Sequence, residues 1–164
     1  MRSVPFLLAL VALAAAPARA GPLAPPSQPA AERARQNPLP QSKDPLWTTL
    51  AKTEVSSDPA KGIYIAHHPD AVRALDGHEI TVSGYMLQTD PLPPFTHFIL
   101  SRRTPVCAFC PPGEPNEAIE VFVRRFIGMK PGLVSVHGLL HAQKDGSQSL
   151  IFVLSNSEVT GGDE

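Results

Sequence analysis

The chain has 164 residues, and its 14 Lys and Arg against 15 Asp and Glu give a formal net charge of −1. This balance excludes a general nucleic-acid binder, which would present a strongly basic surface. The length suits one small folded domain rather than several.

The first twenty residues have the pattern of an export signal. Arg2 supplies a positive start, residues 6–16 are an apolar run, and Ala18-Arg19-Ala20 is a small-residue cleavage site. The apolar run is short for a bilayer span, which needs about 20 residues. We therefore predict a cleaved signal peptide over residues 1–20 and a periplasmic or secreted protein with no transmembrane segment in its mature chain. An uncleaved anchor helix is the alternative. Cleavage removes Arg2 and Arg19, which leaves 12 basic against 15 acidic residues and a net charge of −3.

The next segment, residues 21–45, differs in composition from the rest. It contains seven prolines among Ala, Gln and Ser, with few large apolar side chains. Such a segment buries too little apolar surface to offset the entropy of ordering it. We predict a disordered, partly polyproline spacer over 21–45, a folded domain over 46–159 and a disordered tail over 160–164.

Two short helices are predicted before the strands begin. Asp44 can cap the first helix, Pro45 suits its first position, and Trp47 and Leu50 lie three residues apart on one face. A second helical turn is predicted over residues 69–75. Both helices are short, so the helical content is expected to be low.

From residue 79 onward the apolar period changes to two, which is typical of half-buried strands. Gly84 and Gly138 indicate bends within two of these strands. The predicted strands cover residues 79–87, 96–101, 118–126, 133–141 and 150–155. Five short strands with such bends predict a mainly β fold, a small OB-like, partly closed five-stranded barrel, with a small β-sandwich as the alternative.

The two cysteines, Cys107 and Cys110, form a Cys-x-x-Cys spacing in a proline-rich loop. In an oxidising compartment they could form a structural disulfide, a redox couple or part of a metal site. A redox pair usually begins a helix, whereas Pro111 and Pro112 follow here and residues 122–126 are strand-like. Pro111 also occupies the position of the histidine in a haem-attachment motif, so covalent haem is excluded. The other three fates stay open at this point.

A metal site would need ligands beyond the two thiolates. His97 begins the strand that leads into the cysteine loop and is the candidate third ligand, with Zn or Cu as the metal. His137 and His141 lie on one face of a strand but about 13 Å apart, too far to share an ion unless the strand bends sharply. The basic pairs Arg102-Arg103 and Arg124-Arg125 are each interpreted as a solvated strand face rather than a phosphate clamp. Because we identify no nucleophile–base motif, no catalytic residue is assigned and binding is favoured over enzymatic activity.

The order of these motifs resembles an exported bacterial family of unknown function, an uncharacterised domain. The resemblance covers about residues 47–159. Its most specific parts are the Leu75-Asp-Gly-His-Glu-Ile-Thr-Val-Ser-Gly-Tyr-Met86 segment and the loop that joins the two cysteines to Pro115-Asn116-Glu117. It implies a periplasmic location, an OB-like barrel and an association with ABC-transporter genes, some of them under zinc control. Many relatives are lipoproteins, whereas this chain lacks the lipid-attachment cysteine.

These observations predict a periplasmic, non-enzymatic accessory or binding protein. We expect it to bind a metal ion, or a component of an envelope transport system, through the Cys107–Cys110 loop and His97. A disulfide-stabilised interaction module and a thiol–disulfide redox protein are the alternatives.

Overall fold

The computed structural model describes residue 28 and residues 30–89, 93–106 and 113–161. Short helices and a two-stranded hairpin lead into a closed five-stranded barrel. The elements are α1 (Ala30–Gln36), α2 (Pro45–Leu50), β1 (Glu54–Asp58), β2 (Ile63–His67), α3 (Asp70–Arg73), β3 (Glu79–Gln88), β4 (Phe95–Ser101), a 3₁₀ turn (Pro115–Glu117), β5 (Ala118–Ile127), β6 (Leu133–Ala142) and β7 (Phe152–Thr160). This architecture confirms the predicted mainly β, OB-like barrel with short helices. Within the described part of the chain, no helix has both the length and the apolar character needed to cross a membrane.

The barrel follows the strand order β3-β4-β5-β7-β6, and β6 pairs back onto β3. Neighbouring strands are antiparallel except β5 and β7, which run parallel. The alternation that predicted the strands is visible in β3, where Val82, Gly84 and Met86 are buried and the residues between them are more exposed. The inward set of each strand therefore meets at the barrel axis and forms the core.

Helix α2 packs its apolar face against the barrel. Trp47 and Leu50 are fully buried. One carboxylate oxygen of Asp44 accepts from the Leu46 amide at 3.0 Å, and the other accepts from the Ser83 amide at 2.8 Å. The Trp47 indole donates to the Ser83 carbonyl at 2.7 Å. The predicted cap is thus confirmed, and it also fixes the helix onto β3.

Two glycines permit the tight curvature of the barrel. A Cβ on Gly84 would lie 2.7 Å from the Ser101 carbonyl oxygen, and one on Gly138 would overlap the Ser157 hydroxyl. The register between β6 and β7 shifts beside Gly138, where Asn156 adopts a φ of 53°. The bend at Gly138 therefore comes from a bulge in the facing strand, whereas Gly84 permits a close approach of β3 to β4.

The segment before α2 makes specific contacts in the structure, although its composition predicts a spacer. Residues 30–36 form α1, and Gln36 is fully buried. Its amide donates to the Thr104 carbonyl at 3.0 Å, and its oxygen accepts from Gln28 at 2.9 Å. Polar contacts rather than apolar burial hold this helix, which explains why a count of large apolar residues did not predict it.

Candidate functional site

The cysteine loop connects β4 to the 3₁₀ turn before β5. Cys107 and Cys110 lie outside the described residues, so of the predicted ligand set only His97 is described. The two arms of the loop are described, residues 102–106 on the side that leaves β4 and residues 113–117 on the side that returns to β5. The site is therefore built from these arms and from the surface of β4 and β5.

A buried ion pair joins the two arms. Arg103 on the first arm directs its Nε at both carboxylate oxygens of Glu117 on the second, at 3.1 and 3.0 Å, and its Nη2 lies 3.0 Å from Oε1. This forked geometry is among the strongest arrangements of charged hydrogen bonds. We call Arg33, Arg102, Arg103, Glu114 and Glu117 the loop neck.

Helix α1 supplies a further arginine to the loop neck. Arg33 donates from Nη1 to Glu117 Oε2 at 2.7 Å, and its Nη2 lies 3.4 Å from Glu114 Oε1. Arg102 stands farther out, with Nη1 3.9 Å from Glu117 Oε1. These contacts place α1 against the returning arm of the loop.

Local hydrogen bonds hold the returning arm in position. Glu114 and Glu117 form a capping box around the 3₁₀ turn, and the Glu114 amide donates to Glu117 Oε2 at 3.3 Å. The Asn116 side chain donates to the Ala51 and Thr53 carbonyls at 3.2 and 3.0 Å. The 3₁₀ turn thus holds the Glu117 carboxylate in position by bonds that do not involve the arginines.

The charge state of Glu117 follows from these contacts. Its side chain is 8% exposed. Burial alone would raise its pKa, but hydrogen bonds from Arg103 and Arg33 outweigh burial and hold the pKa below the usual value. Glu117 is therefore a carboxylate at neutral pH, and arginine does not deprotonate in proteins. The charged Glu117 carboxylate therefore fastens the two arms together through its bonds to Arg103 and Arg33.

His97 lies on β4 within a second hydrogen-bonded group. Its Nε2 is 2.7 Å from Glu120 Oε1, and the other oxygen of Glu120 accepts from the Leu150 amide at 2.9 Å. Its Nδ1 is 3.0 Å from the Thr89 hydroxyl, and its ring stacks on Phe122 with centroids 4.7 Å apart. A carboxylate on Nε2 favours the tautomer that keeps the proton there, which leaves Nδ1 as the acceptor. Nδ1 is therefore the ring atom that could ligate a metal, in place of the Thr89 hydroxyl.

Other histidines bond partners elsewhere in the fold. His68 bonds Thr53 and the Gln143 carbonyl, whereas His141 bonds Ser155. Among the residues that the structure describes, no group of three or more His, Cys, Asp or Glu side chains could hold a metal ion. The predicted metal site with Cys107 and Cys110 stays a prediction.

The loop neck was missed at the level of sequence. The interpretation of Arg102-Arg103 as a solvated strand face is wrong, because the returning arm brings Glu117 against both residues. One local signal was present: Glu114-Pro115 followed by Glu117 has the form of a capping box with proline at its first helical position. That signal indicates the turn, but it does not identify the arginines that pair with it.

No protein-family model matches the chain, and no curated protein does. Among solved structures, the chain is similar to a crystal structure described as a DUF3299 family protein from Pseudomonas aeruginosa PAO1. The two share 21% identity with a TM-score of 0.46, over 60% of this chain and 68% of that one. The comparison is thus with an uncharacterised domain and assigns no activity.

Proposed function

We propose that this chain is an exported, non-enzymatic binding protein that recognises its ligand through the cysteine loop, residues 102–114. The ligand class is a thiophilic metal ion, Zn²⁺ or Cu⁺, handled for an envelope transport system. The observation that carries the proposal is the loop neck, where Arg103 and Glu117 join the two arms at 3.0 Å.

A joined neck suits recognition because it lowers the entropy lost on binding. A loop whose ends are fixed has fewer conformations to lose when it closes on a ligand. Binding residues commonly lie on loops that a rigid scaffold positions. The barrel, the 3₁₀ turn and α1 together form such a scaffold around this loop.

The thiol chemistry of the loop favours a metal of borderline or soft character. Two cysteine thiolates in a Cys-x-x-Cys spacing supply half of a tetrahedral zinc site, and thiolates also select Cu⁺. His97 lies four residues, about 13 Å, along β4 from the strand end at Ser101. Its ring is suited to metal ligation because Glu120 bonds its other ring nitrogen. Metal-ligating histidines usually donate their second N–H to a carboxylate in this manner.

Metal titration of the reduced mature protein tests the proposal. We expect sub-micromolar Zn²⁺ or Cu⁺ binding that is lost when Cys107 and Cys110 are both changed to Ser. Glu120→Gln should weaken binding about 10- to 100-fold, as changes to such outer carboxylates do. His137→Gln is the matched control, since that half-buried histidine lies on β6 and should leave the affinity unchanged. If the wild-type protein binds the metal no more tightly than the double Ser variant does, the metal is not the ligand of this loop.

The loop neck also suits a second candidate, a disulfide-stabilised interaction module, because the arms are joined whatever the state of the sulfurs. Thiol counting and metal analysis of protein purified from the periplasm separate the two. Metal with reduced thiols supports the first candidate, whereas two missing thiols without metal support the second. Insulin reduction by the protein would instead indicate a thiol–disulfide redox function.

A further inference from the structure

The second half of β5 leaves the regular barrel pairing. His97 of β4 lies opposite Phe122, but Phe95 lies opposite Ile127. Two steps along β4 therefore correspond to five steps along β5, so β5 carries three extra residues. Such a bulge bends the strand and leaves its extra residues outside the ladder.

Among the described strands, the second half of β5 also lacks a partner on the edge that faces β7. The parallel pairing of β5 with β7 ends where Val123 lies opposite Ser157. Beyond that point β7 continues to Thr160 and pairs with β6. A groove of about 360 Å³ separates residues 123–127 of β5 from residues 157–159 of β7. We call it the β5–β7 groove.

The rim of the β5–β7 groove combines positive charge with an aromatic side chain. Arg124 reaches across the groove to Glu158 at 2.9 Å. Arg125 is exposed and forms no ion pair with any residue in the described ranges. Phe126 is 71% exposed. With two arginines against one glutamate, the groove carries an excess positive charge beside an apolar surface.

We propose that the β5–β7 groove binds an extended peptide that carries an acidic side chain. Successive residues of a strand direct their N–H and C=O groups to opposite edges, so the end of β7 presents backbone groups to the groove that β5 does not pair. A peptide strand added to that edge would satisfy them. A carboxylate of the peptide then meets Arg125, and an apolar neighbour covers Phe126. This surface is independent of the cysteine loop and of the metal proposal.

A displayed library of random twelve-residue peptides, selected against the full mature protein, tests this inference. We expect the enriched peptides to combine β-branched residues with Asp or Glu. Their affinity should fall at least tenfold for Arg125→Glu, which is an exposed change and should leave thermal unfolding unaltered. Arg35→Glu on α1 is the matched control, because it makes the same charge change on another exposed arginine and should leave the affinity unchanged.

Hydrogen exchange provides the structural readout. Bound peptide should slow exchange at one or more amides of residues 158–160. Failure to enrich peptides, enrichment of peptides without acidic residues, or equal affinity for Arg125→Glu overturns the inference. The inference is also overturned if sedimentation shows that the protein dimerises through this groove. Binding of oligothymidylate to the groove in place of peptide overturns it as well.

Discussion

Replacing Glu117 with Gln tests the loop neck directly, since the change keeps the shape of the side chain and removes its charge. The carboxylate accepts from Arg33 and Arg103 at distances between 2.7 and 3.1 Å. An amide retains one acceptor oxygen and directs N–H groups at guanidinium donors. Breaking a buried ion pair from one side costs about 3–5 kcal/mol. Because these arginines are 21% and 15% exposed, solvent recovers part of that cost. We expect a loss of about 2–4 kcal/mol in the free energy of unfolding at pH 7.

The pH dependence of this loss provides a second measure. Burial raises the pKa of Glu117, and the hydrogen bonds from Arg103 and Arg33 lower it by more. A lowered pKa means that the carboxylate stabilises the folded protein fully above the unfolded value, near 4.5. This contribution is lost as the pH falls through the folded pKa. The stability difference between wild type and Glu117→Gln should therefore be constant at neutral pH and narrow progressively below pH 4.5.

Urea unfolding followed by the fluorescence of Trp47, the only tryptophan, measures both effects. Glu158→Gln is the control, because its pair with Arg124 is 2.9 Å long but lies on the surface. An exposed pair of this kind should contribute less than about 1 kcal/mol. If Glu117→Gln costs no more than the control, with unchanged m-values, the loop neck does not hold the arms together and the cysteine loop does not start from fixed ends.

Two further substitutions test the barrel. Gly138→Ala should lower the free energy of unfolding in urea by about 1–3 kcal/mol, because the added Cβ would overlap Ser157. Gly128→Ala is the control, since a Cβ there would have no atom within 4 Å and should leave the stability unchanged. Equal effects of the two changes would show that β6 and β7 do not approach closely at Gly138. Trp47→Phe should cost about 1–3 kcal/mol in thermal unfolding followed by circular dichroism, since it removes buried volume and the bond to the Ser83 carbonyl. An unchanged midpoint would show that α2 contributes little to the core.

The barrel could be predicted from sequence because its signals are local. The alternation along β3 brings Val82 and Met86 to the core, and this two-residue period is visible in eight consecutive residues of the sequence. The cap at Asp44 acts within its own helix and was equally visible. The end of β7 could not be predicted in this way, because the bulge at Asn156 interrupts the alternation and the strand continues beyond it.

The loop neck could not be predicted in the same manner. Arg33 and Glu117 are 84 residues apart, and no periodic pattern links them. Helix α1 is held by polar contacts of Gln36 and Arg33. A prediction of order that counts large apolar residues does not detect such contacts. The β1–β2 hairpin was missed because β1 is largely exposed and has no apolar alternation. Contacts that depend on tertiary proximity between polar side chains carry no such local signature.

The joining of the two arms at their base has a consequence for protein engineering. The fastening lies outside the segment that it encloses, so residues between Val106 and Gly113 can be exchanged without dismantling it. For flexible loops, each doubling of length costs only about 0.6 kcal/mol. The barrel should therefore accept foreign inserts of varied length and composition at this position, and could serve as a small display scaffold.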